Sequence, residues 1–202
     1  MYKYFKRIFD IILALIGLLF AFIPMVLVAV AIKLESKGPA LFKQIRTGKD
    51  GKEFNLYKFR SRSIDNDVTN FKEADKITKV GKFIRKTSLD ELPQLFNILK
   101  GEMSFIGPRP WITEYYNNFN AHQKRRVEVL PGITGLAQAT GRNNLTVFEK
   151  INYDINYVDN YSFIMDLKVV FMTIKTVLSK DGAELGKYGI KEELEDLKHQ
   201  SA

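Results

Sequence analysis

The feature that most constrains this chain is an uncharged apolar run near its N-terminus. IILALIGLLFAFIPMVLVAVAI fills residues 11–32, which is 22 residues without a charged side chain. As a helix rising about 1.5 Å per residue it would reach about 33 Å, the thickness of a bilayer's hydrocarbon core. A cleaved signal peptide is disfavoured because the run is long for an h-region. We therefore predict a membrane anchor over residues 1–38.

Two features bear on how the anchor meets the membrane. Pro24 lies near the middle of the run, where it removes a backbone donor and bends a helix. Basic residues flank both ends: Lys3, Lys6, Arg7, Lys33, Lys37, Lys43 and Arg46. The positive-inside rule then favours both ends in the cytoplasm, as in a re-entrant helix that breaks and returns. An ordinary spanning helix with a tolerated proline is an equal alternative on these observations. Arg7 and Asp10 are spaced to pair on one helix face.

Composition limits the chemistry of the remaining chain. Apolar residues make up 46% and charged residues 27%, as in a globular domain. The chain has no cysteine, which excludes disulfides, thiol catalysis and cysteine-rich zinc sites. Its two histidines disfavour a Ser-His-Asp relay or a multi-histidine metal site. A net charge of +8 favours anionic lipid headgroups or phosphorylated substrates.

Sequence patterns predict a mainly helical α+β domain with a small β-hairpin. Residues 40–46 and 53–59 alternate as two strands, and Gly48–Gly51 supplies the turn. Apolar spacing predicts helices over 88–100, 111–129, 146–161 and 166–180. Residues 61–80 are polar and are predicted to form a loop. We assign residues 39–180 to one domain and 181–202 to a charged tail that frays.

The densest polar motif is SLDELPQLFNILKGEMSFIGPRP, residues 88–110. Ser88 and Glu91 have the spacing of a capping box, and Pro93 favours a helix that begins around Asp90. Asp90 and Glu91 would then lie in the first turn, where carboxylates are favoured for stability alone. An ionised aspartate at such a position can also act as a nucleophile or bind magnesium.

Several cations accompany this motif, together with a second glycine-rich loop over residues 131–144. Arg109 is held between two prolines in Gly107–Pro110, which lowers the entropy lost when it binds a phosphate. The other candidate binding residues are Lys58, Arg60, Arg85, Gln138 and Arg142. Each cluster alone is typical of a solvated surface, but together they are the side chains that phosphoryl transfer uses. The sequence lacks GxGxxG, Walker A and HExxH motifs, which argues against dehydrogenase, P-loop kinase and zinc protease activity.

These residues resemble the small monotopic bacterial phosphoglycosyl transferases, which start glycan assembly on a polyprenyl carrier. The resemblance covers nearly the whole chain after its first few residues. It is carried by KRIFDI, the apolar run with its proline, Gln44-x-Arg46-x-Gly48, YKFRS, SLDELPQLFNILKGEMSFIGPRP, PGITGLAQATGR and the region of Asp166. The combination of SLDELPQL with GPRP is specific to that family.

The resemblance implies a fold, a location and a reaction. The anchor would be a re-entrant membrane helix-break-helix with both ends cytoplasmic, in the bacterial inner membrane, and the active site would face the cytoplasm. Asp90 would attack the sugar-bearing phosphorus of a UDP-sugar and release UMP. Polyprenyl phosphate, in bacteria undecaprenyl phosphate, would then take the phosphosugar from the covalent intermediate. The resemblance does not identify the sugar or the glycan pathway, and it leaves open a homodimer or contacts with downstream glycosyltransferases.

The resemblance also implies roles for the candidate site residues. Mg²⁺ would contact Asp90, with Glu91 in support. Phosphate or nucleotide contacts would come from Arg85, Arg109, Gln138 and Arg142, with Lys58 and Arg60 near the phosphate site. The chain departs from the family pattern at two positions: Ile23 stands where serine usually precedes the bend proline, and Arg62 stands where the family usually has methionine.

Two other functions are compatible with parts of the sequence. A membrane-bound scaffold could keep the fold without activity, but the presence of Asp90, Glu91 and Arg109 argues against it. A basic nucleic-acid-binding protein fits the net charge, yet the sequence shows no recognition motif or aromatic stacking pattern. We therefore expect membrane lipids, a UDP-sugar and a polyprenyl phosphate as partners, and no nucleic acid.

Overall fold

The computed structural model describes residues 1–63, 77–141, 144–179 and 190–201. The helices in these ranges are α1 (Tyr2–Glu35), α2 (Lys79–Lys86), α3 (Gln94–Lys100), α4 (Thr113–Asn117), α5 (Ala121–Lys124), α6 (Leu136–Thr140), α7 (Val147–Asp159), α8 (Phe163–Ser179) and α9 (Ile190–Ser201). The strands are β1 (Leu41–Thr47), β2 (Glu53–Phe59), β3 (Ser104–Ile106) and β4 (Gly132–Thr134). A mainly helical protein with small sheets is confirmed.

Helix α1 turns one face towards the rest of the protein and the other face outwards. The buried residues recur at helical spacing: Lys6, Asp10, Ala14, Ala21, Val28 and Ile32. Its small residues allow a close approach to α3, since a Cβ on Gly17 would lie 3.4 Å from Leu95 Cδ1. The outward face carries large apolar side chains, and Leu19 and Phe20 are each 76% exposed. By length and composition α1 could cross a membrane, and its bare apolar face favours contact with lipid.

Pro24 does not break α1, contrary to the helix-break-helix expected from the sequence. The helix runs unbroken from Tyr2 to Glu35 with Pro24 inside it. An interior proline costs about 3 kcal/mol, because it removes one backbone hydrogen bond and crowds the preceding turn. Here the helix packs on both sides of the proline, since Ala21 before it and Val28 after it are both buried against the domain. A break would forfeit one of those two contact regions.

The N-terminal end of α1 is bonded to the domain that follows. Lys6 forms a buried ion pair with Asp166 of α8. Arg7 donates to two carbonyl groups near the end of α3, at 2.6 and 3.1 Å. The predicted Arg7–Asp10 pair is therefore wrong, and Asp10 instead accepts the backbone N–H of Phe105 at 3.1 Å. These charges fix the anchor to the domain, whereas a local helix pair would only have stabilised the helix itself.

The hairpin and the helices beside it form the first half of the domain. Strands β1 and β2 pair antiparallel from Leu41–Phe59 to Thr47–Glu53, as the sequence predicts. The predicted loop over residues 61–80 is partly wrong: α2 begins at Lys79, and the Thr78 side chain accepts the Gly81 N–H at 2.9 Å. The middle of that predicted loop, residues 64–76, lies outside the described residues.

The second half packs short helices around α7 and α8. Strands β3 and β4 form a two-stranded parallel sheet, which the sequence did not predict. The helix expected over 111–129 is wrong, because Asn120 starts a new helix by forming a capping box with Gln123. Helix α7 agrees with the prediction and begins with its own capping box, Thr146 with Glu149. Helix α8 begins at Phe163, three residues earlier than predicted.

Helices α8 and α9 form much of the outer surface of this second half. Helix α8 packs on α6 and leaves an outward apolar stripe: Phe163, Ile164, Leu167, Phe171, Ile174 and Leu178. The tail does not simply fray, since α9 is helical and Leu197 is fully buried beside α4 and α7. Glu193 of α9 accepts hydrogen bonds from Tyr115 at 2.6 Å and from Lys150 at 2.7 Å.

Candidate active site

Asp90 and Glu91 lie in a short 3-10 turn, Leu89–Glu91, between α2 and α3. Ser88 precedes the turn in a left-handed conformation with a φ of 56°, and its side chain makes no cap bond. The predicted Ser88–Glu91 capping box is therefore wrong. Pro93 caps the start of α3, where its missing N–H costs no helix hydrogen bond. The turn holds both carboxylates at half-buried positions beside β2.

Glu91 is the centre of a charge cluster. Its Oε1 accepts a hydrogen bond from Lys58 Nζ at 2.7 Å and another from Arg109 Nη2 at 2.9 Å. Lys58 comes from β2 and Arg109 from the loop after β3, so three separate segments meet at one oxygen atom. The Glu91 side chain is only 21% exposed, which strengthens both charge-assisted bonds.

The pKa shifts follow from this cluster. Burial alone raises the pKa of Glu91, but the charges of Arg109 and Lys58 outweigh it and lower that pKa to about 2. Burial lowers the pKa of Lys58, and the nearby Arg109 lowers it further. The charge of Glu91 raises the pKa of Arg109. Glu91 therefore stays ionised at neutral pH and holds two cations in fixed positions.

Asp90 stands in a different environment. Burial raises the pKa of Asp90, the charge of Lys58 opposes that shift, and the charge of Glu91 adds to it. Arg85, exposed on α2, also acts on Asp90 and lowers its pKa. The net effect is a carboxylate less well solvated than an ordinary aspartate, next to a cation cluster that is already in place. The structure therefore brings together Asp90, Glu91, Lys58, Arg85 and Arg109.

Arg60 is directed elsewhere. It is buried, and its guanidinium donates to the carbonyl oxygens of Lys37 at 2.8 Å and Ser36 at 3.0 Å. It thus holds the C-terminal end of α1 against β2. None of its hydrogen bonds among the described residues reaches the cluster around Glu91. Lys58 near the end of β2 and Arg60 just beyond it are two residues apart, yet they have different partners.

The second glycine-rich loop contributes less than expected. Gln138 of α6 donates from Nε2 to the carbonyl of Ile133 in β4 at 2.9 Å, and Gln138 Oε1 is buried without a hydrogen bond. Arg142 lies outside the described residues. The structure therefore does not bring Gln138 to the Glu91 cluster through any hydrogen bond that it describes.

The loop that carries Arg109 is held by its own backbone. Gly107 packs against the next chain segment so closely that a Cβ would lie 2.3 Å from the Leu130 carbonyl oxygen. Two arginines that the sequence analysis did not single out as site residues also bind this loop. Arg46 donates to the Pro110 carbonyl at 3.2 Å, and Arg126 donates to the Arg109 carbonyl at 2.7 Å. Charged residues distant in sequence give no signal of such contacts, so pattern reasoning could not find them.

The donor set can be tested against the magnesium ion that the family implies. Among the described residues no group of three or more histidine, aspartate or glutamate side chains could hold a metal. Asp90 and the Glu91 oxygen that the cations do not use, Oε2, are the carboxylate donors at the site. One or two carboxylates are what Mg²⁺ takes when substrate phosphates and water complete its coordination. The residues thus fit a magnesium ion whose ligands come partly from the protein and partly from substrate phosphates and water, rather than a site made of protein ligands alone.

Comparisons with known proteins give one matching family model and several relatives. A family model described as bacterial sugar transferase matches residues 1–180. An uncharacterised sugar transferase of Bacillus subtilis is 42% identical over 181 residues, covering 89% of this chain and 90% of that protein. A galactosyl transferase of Streptococcus agalactiae is 45% identical over 195 residues, covering 89% of this chain and 43% of the relative.

A third relative has a fully stated activity in its name. A UDP-glucose:undecaprenyl-phosphate glucose-1-phosphate transferase of Klebsiella pneumoniae is 43% identical over 182 residues, covering 84% of this chain. This chain spans 39% of that protein and 43% of the streptococcal one, so both relatives are more than twice the matched length. The matched part contains the carboxylate turn and the loop of Arg109.

Proposed function

This chain belongs to the bacterial sugar transferase family, and we propose that it transfers a sugar 1-phosphate from a UDP-sugar to a polyprenyl phosphate and releases UMP. One observation carries the proposal: Lys58 and Arg109 converge on Glu91 beside the half-buried carboxylate of Asp90. Such a set of fixed cations next to a carboxylate suits the charge that develops in phosphoryl transfer. The names of several relatives state this reaction for particular sugars.

The reaction takes two steps at the same phosphorus. A carboxylate oxygen of Asp90 attacks the sugar-bearing phosphorus of the UDP-sugar, and the bond from that phosphorus to the bridging oxygen breaks. UMP leaves with the electron pair, and the sugar phosphate stays on Asp90 as an acyl phosphate. An oxygen of the polyprenyl phosphate then attacks the same phosphorus, which frees the Asp90 carboxylate and gives the polyprenyl diphosphate sugar.

The surrounding residues supply charge and position. Lys58 and Arg109 lie where they can stabilise negative charge on the phosphoryl oxygens, and Glu91 keeps both in place. The charge of Arg85 also acts on Asp90 and lowers its pKa. Asp90, with Glu91 in support, is the carboxylate that would hold Mg²⁺, whose charge would neutralise the phosphate groups.

We extend the proposal to the membrane. Helix α1 is about 51 Å long at 1.5 Å per residue, and it packs on the domain near both ends, through Lys6 at one end and Arg60 at the other. A helix held along its length by one domain cannot place its ends on opposite sides of a bilayer without drawing that domain in. We propose that α1 lies along the cytoplasmic face of the inner membrane, with both ends in the cytoplasm and its outward apolar face in the lipid, and with the apolar stripe of α8 at the interface.

The reaction is tested by measuring UMP release from a panel of UDP-sugars. Detergent-purified protein is assayed with and without undecaprenyl phosphate and Mg²⁺. We expect one or a few donors to give UMP continuously when lipid and metal are present. Without lipid, the same donors should give a burst of UMP stoichiometric with enzyme, and mass spectrometry should find a phosphosugar on the peptide that contains Asp90.

Two variants make this test specific. Asp90→Asn removes the nucleophile and should abolish both burst and turnover, whereas Asp196→Asn, an exposed change on α9, should leave both intact. Turnover in the Asp90→Asn protein would overturn the nucleophile assignment. Folded wild-type protein that gives no UMP with any donor would instead favour a scaffold without activity.

The membrane topology has a separate test, because the chain has no cysteine of its own. Lys3→Cys and Lys37→Cys each place one thiol at an end of α1. Both should react with an impermeant maleimide in inside-out vesicles and neither in intact spheroplasts. Labelling of the two ends from opposite sides would show a spanning helix and contradict the proposal.

A further inference from the structure

The loop that carries Arg109 is bound through a continuous row of carbonyl groups. Residues 108 to 111 each offer a carbonyl oxygen that accepts a hydrogen bond from a different donor. The Pro108 and Trp111 carbonyls accept backbone N–H groups at 3.0 Å each. The two central carbonyls, of Arg109 and Pro110, accept instead from arginine side chains at 2.7 and 3.2 Å. The prolines cannot donate in return, so these bonds set the position of the loop.

Arg126 is the more deeply buried of the two arginines. Its side chain is 2% exposed and forms an ion pair with Asp154 of α7, whose side chain is also 2% exposed. Nε and Nη2 both donate to Asp154 Oδ2, at 3.1 and 2.6 Å, and Nη2 also donates to the Arg109 carbonyl. The guanidinium lies 4.4 Å from the centre of the Trp111 ring. Arg126 therefore contacts two residues of the loop, Arg109 and Trp111, at once.

Three successive hydrogen bonds connect α7 to the candidate site. Asp154 orients Arg126, Arg126 holds the backbone of Arg109, and the Arg109 guanidinium bonds Glu91 beside Asp90. A buried arginine paired with a carboxylate is expensive to desolvate, and it adds little stability over a well-packed apolar pair. Its guanidinium instead donates to a carboxylate and a carbonyl at once through N–H groups of fixed direction, which the compact ammonium of a lysine does not reproduce.

We propose that Arg126, held by Asp154, is a positioning residue that fixes the Arg109 loop over the Asp90–Glu91 turn. The inference rests on the proposed transferase activity for its kinetic consequences, but not for the loop geometry itself. Arg126 touches no reacting group, so it acts only through Arg109. When the hydrogen bond to the Arg109 carbonyl is lost, the guanidinium moves relative to the donor's diphosphate, and substrate binding and turnover both suffer.

The variant that separates position from charge is Arg126→Lys. A lysine can still pair with Asp154, but it lacks the planar donors that reach the carboxylate and the Arg109 carbonyl together. We expect kcat/KM for the UDP-sugar to fall about 10- to 100-fold, the range for losing one charge-assisted hydrogen bond. Part of this loss should be a rise in KM, because the displaced Arg109 guanidinium binds the donor less well. A smaller folded fraction would lower only the apparent kcat and leave KM unchanged, so KM distinguishes a positioning effect from a loss of folded protein.

The matched control is Arg125→Lys, the same substitution at the neighbouring position. Arg125 is more exposed and pairs at the surface with Glu128 and Asp159, so its replacement should leave kcat, KM and the melting temperature near wild type. An Arg126→Lys protein whose KM matches that of this control would overturn the proposal. If Arg126→Lys does not fold, the double variant R126Q/D154N removes both buried charges together, and the same kinetic comparison applies to it.

A second readout needs no substrate. Trp111 is the single tryptophan of the chain, so fluorescence quenching by acrylamide reports on this loop alone. We expect faster quenching in Arg126→Lys than in wild type and in Arg125→Lys. Unchanged quenching would overturn the positioning role even if wild type is fully active. Faster quenching in a protein whose wild type releases no UMP would support the positioning role and refute the proposed activity.

Discussion

Acid should weaken the fold through Glu91, and the size of the effect follows from its surroundings. The pKa of Glu91 is about 2 in the folded protein, against an ordinary value of 4.5. One pKa unit corresponds to about 1.4 kcal/mol, so ionised Glu91 contributes about 3 kcal/mol to folding stability. Because the folded pKa is the lower one, this contribution is complete above about pH 4.5 and is lost as the pH falls towards 2. The side chain is 21% exposed, so solvent screens it only in part.

The perturbation is Glu91→Gln, which keeps the shape of the side chain and removes the titrating group. Urea unfolding of wild type and variant is followed by circular dichroism in one detergent, from neutral pH down to about pH 3. We expect wild type to exceed the variant by up to about 3 kcal/mol at neutral pH, and the gap to shrink below pH 4.5. Lysine stays protonated throughout this acid range, so Lys58 does not add to the pH dependence.

The control is Glu195→Gln, an exposed carboxylate on α9 whose removal should leave the pH profile unchanged. A gap between wild type and Glu91→Gln that stays constant from neutral to acid pH would refute the reasoning. That result would mean that Glu91 is not held ionised by Lys58 and Arg109 in the folded state.

Three further predictions concern stability. Ala14 is fully buried where α1 meets α3, so Ala14→Leu should cost about 1–3 kcal/mol in urea unfolding by overpacking, whereas Leu13→Met on the outward face should cost little. Asn97 is fully buried and binds the backbone of β2 at both Tyr57 N–H and Asn55 C=O; Asn97→Ala should cost about 2–4 kcal/mol by the same measurement, because it leaves both groups without a partner. Leu197 of α9 is fully buried against α4 and α7, so Leu197→Ala should release α9 locally, seen as faster hydrogen exchange there but not in α3, and Lys198→Ala should not.

Local patterns predicted the elements that local interactions decide. The hairpin follows from alternation on both sides of Gly48–Gly51, and α7 follows from apolar spacing after the Thr146–Glu149 capping box. The same reasoning failed over 111–129, where apolar spacing continues but Asn120 caps a new helix and ends the predicted one. Helix α2 was missed because it is short and carries Gly81 in its first turn.

The candidate site could be predicted in part for the same reason. Asp90, Glu91 and Arg109 stand in conspicuous motifs, and Lys58 ends a recognisable strand. Their distances from one another depend on how the segments fold together, so the bonds to Glu91 were not readable from the sequence. Arg60 is the clearest example. From the sequence alone, an arginine that binds a phosphate cannot be distinguished from one that is buried and binds carbonyl groups at the end of α1.

The ion pair between Lys6 and Asp166 also sets an order of events during synthesis. The two residues are 160 positions apart, and at about 5–20 residues per second the ribosome needs roughly 8–30 s to make the intervening chain. For most of that interval the whole of α1 has been synthesised, while the Asp166 carboxylate that will pair with Lys6 does not yet exist. We therefore expect the apolar N-terminal helix to meet the lipid before its own domain can dock on it, so that the domain completes its fold on a helix already at the membrane.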